Sequence, residues 1–344
     1  MLSRRGFLGA AIPAVAAATA RTPVKLGVAV GCISANKWTP YQYLDYLAKI
    51  GVQVGQFPIA ALGVNPMTPD EDALQRVHGY AGKLGIAMSL SGGSICPSAS
   101  AFNAKLGTAE EQIARGLKIS RIFGATTMRV VTGSAKERPE IEKHIANTTK
   151  VLKGMRSRIR DSGVKIALEN HGGDVQAREV KAMIEDVGSD ILGVCIDTGN
   201  PLWVLEDPHL TLELLGPVSI DNHVRDTAIW RVPEGVAIRW VNMGEGNVNI
   251  NGWVKKFVQT HPGQAITFEN IVSPEPRIIR VFDRETFKDY PKMPASDLSR
   301  YLALAERGKA VPAVPPTPGK SRGQQQCDDL EVCVRYTRKL LESM

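Results

Sequence analysis

Histidine is scarce in this chain and cysteine is odd in number. Basic residues form no long block, and no glycine-rich phosphate loop follows the first strand. Each lack removes a class of protein. The five cysteines, Cys32, Cys96, Cys195, Cys327 and Cys333, do not form the even set of a disulfide scaffold. Cys195 lies inside an apolar run and reads as a small buried hydrophobe. A bridge between Cys327 and Cys333, beside a predicted helix start, is the one pairing left open. The formal charge of +7 falls to about +5 once Arg4 and Arg5 are set aside, and no basic track suited to nucleic acid remains. No Gly-x-Gly-x-x-Gly follows the first strand, which argues against a dinucleotide-binding sheet. No internal run is long and apolar enough to span a membrane.

What is present begins with an export-type leader. Ser3-Arg4-Arg5-Gly6-Phe7-Leu8 precedes an Ala-rich apolar run that closes in Ala18-Thr19-Ala20, a small-x-small cleavage pattern. The arginine pair with Phe and Leu behind it resembles a twin-arginine signal, with an ordinary Sec signal as the alternative. Residues 1–20 are therefore set apart from the fold. The mature chain, 21–344, is expected in the periplasm or outside the cell, with no stable membrane insertion after signal removal.

From Lys25 onward, short β-rich runs alternate with helices every 30 to 40 residues. Strands are predicted at 25–30, 52–59, 86–90, 126–131, 164–168, 191–196, 218–220 and 265–268. The helices between them open on signals such as Thr39-Pro40 and Thr108 with Glu110 and Glu111. A single helix is predicted from about Pro139 to Arg160. Eight such units without a break in composition predict an α/β fold, a single (β/α)8 TIM barrel, with an open doubly wound sheet as the runner-up. Two stretches depart from the rhythm. Residues 228–246 carry Trp230-Arg231-Val232-Pro233-Glu234-Gly235, able to turn a hairpin. Residues 273–326 form a long insertion between strand 8 and helix 8, with a helix at 295–307 and a Pro-rich linker at 310–318. The insertion leaves from a strand end, so it starts on the catalytic face, either covering the mouth or wrapping the surface.

Four apolar strands each end in a side chain able to bind a metal. These are Glu169 in Leu168-Glu169-Asn170-His171-Gly172, Asp197 in Asp197-Thr198-Gly199-Asn200, His223 in His223-Val224-Arg225-Asp226, and Glu269 in Phe268-Glu269-Asn270. The C-terminal strand ends of a parallel barrel face one crevice, so the four are expected to meet. Three carboxylates and one imidazole form a hard, oxygen-rich donor set that suits Mn²⁺, Mg²⁺, Co²⁺ or Zn²⁺ with positions left open.

Together with Gly244-Glu245-Gly246, these stretches resemble the xylose-isomerase-like TIM barrels, a superfamily of sugar isomerases and epimerases with an AP-endonuclease branch. The resemblance covers nearly all of the mature chain. It implies one divalent metal ion, Mn²⁺ favoured, held by Glu169, Asp197, His223 and Glu269. It also implies that Glu169 and Glu269 act as the acid/base pair moving a proton beside a carbonyl through an enediolate. Three positions depart from the pattern. Arg225 stands where Lys is usual and suits a salt bridge or a substrate clamp. Asn200 stands where epimerases often have His. His171 is additional, and is open to a role as general base, substrate ligand or loop imidazole. Arg225, Asn200 and Asn270 are taken as substrate-binding, and Glu245 as a turn residue.

The six histidines include none at the second or third strand end, where the endonuclease branch has further zinc ligands, so DNA repair is set aside. The expected partner is a small sugar or glycoside, and no signal for the number of copies is present. Isomerisation or epimerisation is the default reaction. A 3-keto-glycoside lyase or hydratase, and a non-catalytic metal-dependent sugar-binding barrel, are the alternatives.

Overall fold

The structure is a computed structural model that describes residues 23–315 and 317–344. The leader expected at residues 1–20 lies outside the described residues. Strands β1 (Leu26–Ala29), β2 (Val54–Pro58), β3 (Ala87–Ser94), β4 (Thr127–Val131), β5 (Lys165–Glu169), β6 (Leu192–Asp197) and β7 (Ser219–His223) follow in order. A hairpin, β8 (Asp226–Val232) and β9 (Gly235–Val241), then precedes β10 (Ile266–Phe268), and β11 (Arg277–Ile279) comes last. Strands β1 to β7 and β10 pair side by side in parallel, in the order β10-β1-β2-β3-β4-β5-β6-β7.

The ring closes between β7 and β10 by a bridge from Val224 to Phe268 and by the side chain of Asn222. Its amide donates to the Ala265 carbonyl at 2.7 Å and accepts from the Thr267 N–H at 3.0 Å, taking the place of a peptide group. Asn170 does the same between β5 and β6, exchanging both bonds with the backbone of Asp197 at 3.0 and 2.9 Å. Backbone polar groups at splayed strand ends are thereby satisfied without water. These contacts make the chain a (β/α)8 barrel, as expected.

The strands alternate with period two. Ile166, Leu168, Val194, Ile196 and Phe268 are fully buried on the outer face, toward the helices. The opposite face carries Gln56, Arg129, Cys195 and Asp221, so the barrel interior below the mouth is polar. The helices are α1 (Pro40–Lys49), α2 (Glu71–Lys83), α3 (Ala109–Ile122), α4 (Ile141–Gly154), α5 (Arg156–Ser162), α6 (Ala177–Val187), α7 (Pro208–Leu215), α8 (Ile250–Thr260), α9 (Ala295–Glu306) and α10 (Arg322–Glu342). Thr39 with Gln42, and Thr108 with Glu111, form capping boxes that start α1 and α3.

Two boundaries differ from the sequence reading, and one pairing it left open is absent. The helix expected from Pro139 to Arg160 is two helices, broken at Met155 (φ −93°, ψ 0°) just after Gly154, a poor helix former. The last helix begins at Arg322 rather than Asp328, because Ser321 and Gln324 supply a capping box. Cys327 and Cys333 therefore lie on one helix, about 9 Å apart along its axis. They are not bridged, and all five cysteines are free.

The hairpin read at 230–235 is present, and β11 adds to it as a third antiparallel strand on the β9 side. At its tip a Cβ on Gly235 would lie 2.2 Å from the Ile279 carbonyl oxygen, so only glycine lets β11 come this close. Helix α9 packs against β8 and β9. Its side chains reach α6 and α7: Asp297 accepts from Arg178 Nε on α6 at 2.7 Å, and Arg300 pairs with Asp207, the cap of α7, and with Glu213 on it. Before it, the Asp289 carbonyl accepts from Arg138 Nε at 3.0 Å, and the Tyr290 ring lies under that guanidinium at 4.5 Å. The insertion thus wraps the C-terminal end of the barrel on the β4 to β6 side.

Candidate active site

Glu169, Asp197 and His223 are the last residues of β5, β6 and β7, and Glu269 directly follows β10. One donor atom from each lies within 4.8 Å of all the others. Points so spaced share a centre within about 3 Å, against metal bonds of about 2.0–2.2 Å. Glu169, Asp197 and His223 are fully buried, whereas the Glu269 side chain is 18% exposed. The four residues read from the sequence therefore meet, with one of them open to solvent.

The protonation of His223 follows from its neighbours. Gln56 donates its amide N–H to Asp221 Oδ2 at 2.9 Å, which turns Gln56 Oε1 toward His223 Nε2 at 2.8 Å. That oxygen can only accept, so Nε2 carries the proton. The lone pair of Nδ1 then faces Glu169 Oε2 at 3.2 Å and Glu269 Oε2 at 3.5 Å, and Nδ1 is buried without a hydrogen-bond partner. A lone pair aimed at two carboxylate oxygens is repulsive unless a cation lies between them. The donor set and this orphaned nitrogen fit a divalent ion.

Glu169 is held on both sides. Arg129 Nε binds Oε2, and Asn200 Nδ2 donates to Oε1 at 3.0 Å. Burial alone would raise its pKa, but the charge of Arg129 beside it helps to outweigh burial and holds the carboxyl well below the usual range. Asp197 Oδ1 accepts the N–H groups of Gly199 and Asn200, both at 2.7 Å. Its other oxygen pairs with Arg225 Nη2 at 2.6 Å. Arg225 also contacts Glu269, so its guanidinium bridges the two carboxylates.

Arg225 continues into a stacked column. Its guanidinium lies 4.4 Å from the Trp240 ring centroid. Trp240 stacks on Trp203 at 4.5 Å with planes 5° apart, and the Arg277 guanidinium covers Trp203 at 4.3 Å. Gly199 makes room for this column, since a Cβ there would lie 2.5 Å from Arg225 Cδ and 2.7 Å from Trp240 Nε1.

His171 sits on the loop after β5, partly exposed. Gly172 and Gly173, at φ 51° and 85°, turn the chain behind it. Nδ1 lies 2.8 Å from the Gly133 carbonyl, an acceptor, so Nδ1 is the donor. Asp174 ties this loop together, accepting from the N–H groups of His171 and Gly133 at 3.0 and 2.9 Å. Burial pushes its carboxyl up to about 6 against the pull of His171 and those donors. Asn200 faces Glu169. Asn270 is buried, 3.4 Å from Asn242 Oδ1, with its own Oδ1 unpartnered. Glu245 closes a turn with Asn242. Gln56, Asp221 and Arg129 complete the site. Polar residues at inward positions of otherwise apolar strands were the sequence signal for them.

The sequence model of the xylose isomerase-like TIM barrel family matches residues 44–280. A 3-oxo-isoapionate decarboxylase of Pectobacterium atrosepticum is 26% identical over 214 residues, 62% of this chain. That match spans 66%, just under two thirds, of the relative's own length. Among solved structures, a D-psicose 3-epimerase from Clostridium cellulolyticum, crystallised with D-tagatose, superposes with a TM-score of 0.61 at 12% identity, over 92% of this chain and 99% of that one. An L-ribulose 3-epimerase superposes with a TM-score of 0.57 at 14% identity, over 93% and 95%. At these identities the superpositions speak for the fold alone.

Proposed function

Since the chain belongs to the xylose isomerase-like TIM barrel family, we propose that it is a divalent-metal enzyme acting on a small sugar or sugar-derived substrate. It moves a proton at the carbon beside a carbonyl, with isomerisation as the primary reaction. The observation that carries this reading is the orphaned Nδ1 of His223 among three carboxylates. Glu169, Asp197, His223 and Glu269 would hold the ion. Its chemistry when bound is polarisation of a carbonyl oxygen and stabilisation of the charge that develops there.

The two glutamates are not equivalent. Both oxygens of Glu169 are engaged, by Arg129 and Asn200, and its carboxylate is held ionised. Glu269 is the partly exposed member. Glu269 therefore takes the proton and returns it, while Glu169 stays fixed as a ligand. One mobile base suits transfer between neighbouring carbons on one face, rather than epimerisation between opposed bases. Arg225, paired with Glu269, holds that carboxylate in place. Asn200 and Asn270 border the substrate space from the β6 and β10 loops.

A second reading is cleavage beside the carbonyl of a 3-oxo sugar derivative, as a lyase, hydratase or decarboxylase. The partly exposed imidazole of His171 favours it, because in its protonated form it is the acid that the expelled group or the resulting carbanion needs. So does the 3-oxo-isoapionate decarboxylase relative. Arg4-Arg5 and the apolar run behind them support export by the twin-arginine route.

Incubating the Mn²⁺-loaded protein in D₂O with ketoses and 3-keto-glycosides tests both readings. Deuterium at the carbon beside the carbonyl, abolished by Glu269→Gln, is expected for isomerisation. Loss of a fragment that depends on His171 selects the second reading. No exchange and no cleavage across the panel overturns both and leaves a sugar-binding barrel.

A further inference from the structure

Cys195 lies two residues before Asp197 on β6, hence on the same inward face and one layer deeper. It is fully buried and is the register partner of Glu169 across β5 and β6. Its Sγ, a carboxylate oxygen of Glu169 and a ring nitrogen of His223 all lie within 4.8 Å of one another. The mechanism above leaves this sulfur unused. Glu169 and His223 thus belong to two overlapping donor sets. The upper set adds Asp197 and Glu269, both oxygen donors, and the lower set adds one sulfur.

We propose that Glu169, Cys195 and His223 form a second, deeper metal position that takes thiophilic divalent ions. The proposal rests on the reading that Glu169 and His223 are metal ligands. The ring of His223 supplies the nitrogen, and its Nδ1 is buried without a hydrogen-bond partner. Mn²⁺ and Mg²⁺ prefer carboxylate oxygen and stay in the upper set, whereas Zn²⁺, Cd²⁺ and Co²⁺ accept sulfur. Binding in the lower set exchanges the Cys195 S–H bond for a sulfur–metal bond and releases one proton to solvent. No electron is transferred. An ion so held leaves Asp197 and Glu269 behind and does not reach substrate at the mouth, so this position discriminates between ions by trapping the soft ones.

The test uses metal-free full-length protein titrated with Co²⁺, Cd²⁺ and Mn²⁺, each alone. With Co²⁺ and Cd²⁺, a near-ultraviolet thiolate-to-metal absorption is expected to saturate at one equivalent and to vanish in Cys195→Ser. Cd²⁺ affinity is expected to fall about tenfold or more in that variant, the scale of losing a metal-site partner. Mn²⁺ affinity, read by electron paramagnetic resonance, is expected to stay within about twofold. Cys195→Ala, checked by circular dichroism, is the second variant. Co²⁺ bound without a charge-transfer band, or a band that persists in both variants, overturns the deeper position while leaving the upper set intact. Failure of every ion to bind removes the metal reading altogether, and this inference with it.

Discussion

At the scale of the residue, Gln56 and Arg129 matter as much as the groups they serve. Gln56 fixes which nitrogen of His223 faces the carboxylates, and its own orientation depends on Asp221. Gln56→Leu removes that control, and Mn²⁺ affinity is expected to fall about 10- to 100-fold, measured by calorimetric titration. Arg129→Met leaves the buried carboxylate of Glu169 without its guanidinium. Loss of one partner of a buried pair costs about 3–5 kcal/mol. Urea denaturation of the metal-free variant is expected to show a loss of that order, and saturating Mn²⁺ to recover part of it by supplying the missing positive charge. Full stability in the metal-free variant would show that Glu169 does not depend on Arg129.

At the scale of the element, the junction of α6 and α7 is held by a carboxyl buried out of water. Glu206 accepts the Ala177 N–H at 3.0 Å at the start of α6 and the Thr211 hydroxyl at 2.5 Å on α7. Burial raises its pKa to about 7, against the pull of those two donors. The folded protein therefore holds this proton more tightly than the unfolded chain, whose glutamates titrate near about 4.3. The resulting stabilisation is fully present below the unfolded value and is lost as pH rises through about 7. At most ~4 kcal/mol is involved. Glu206→Gln is expected to flatten the fall in stability between about pH 4.5 and 7, and to leave the protein more stable than the parent at pH 8. Chemical denaturation across that range, with both proteins showing the same slope, would count against it.

Elements were also what the sequence displayed best. Short apolar, β-rich runs marked the strands, four of them running into Asp, Glu or His, and Pro208 and Gln176-Ala177 stand where α7 and α6 begin. The breaks were less visible. Gly154 lies within an otherwise continuous helical pattern, so the interruption at Met155 carries no proline to announce it. The Ser321 cap sits next to a Pro-rich stretch that reads as linker. The partners of the site were hidden for a different reason. Gln56 and Asp221 lie 165 residues apart, and only closure of the ring brings them together. Glu169 and His223 could be read as strand-end donors, but no local pattern reveals which groups orient them.

At the scale of the whole molecule, the barrel concentrates charge at one end and flanks that end on one side with its own insertion. Three carboxylates face two guanidinium groups around His223, so an added divalent ion meets a site with room for positive charge. Binding to the folded state alone stabilises it by about 2.7 kcal/mol at a free ion concentration one hundred times Kd. Thermal unfolding is therefore expected to shift upward with Mn²⁺, and the shift to disappear in the paired change Asp197→Asn and Glu269→Gln. An equal shift in that variant would place the ion elsewhere.

The column from Arg225 through Trp240 and Trp203 to Arg277 joins the innermost cation of the mouth to the outermost strand, β11. Four flat groups in face contact behave as a strut. Displacing Arg277 with β11 would uncover the outer face of Trp203, so a change at the outermost strand is expected to register in the emission of the two stacked indoles.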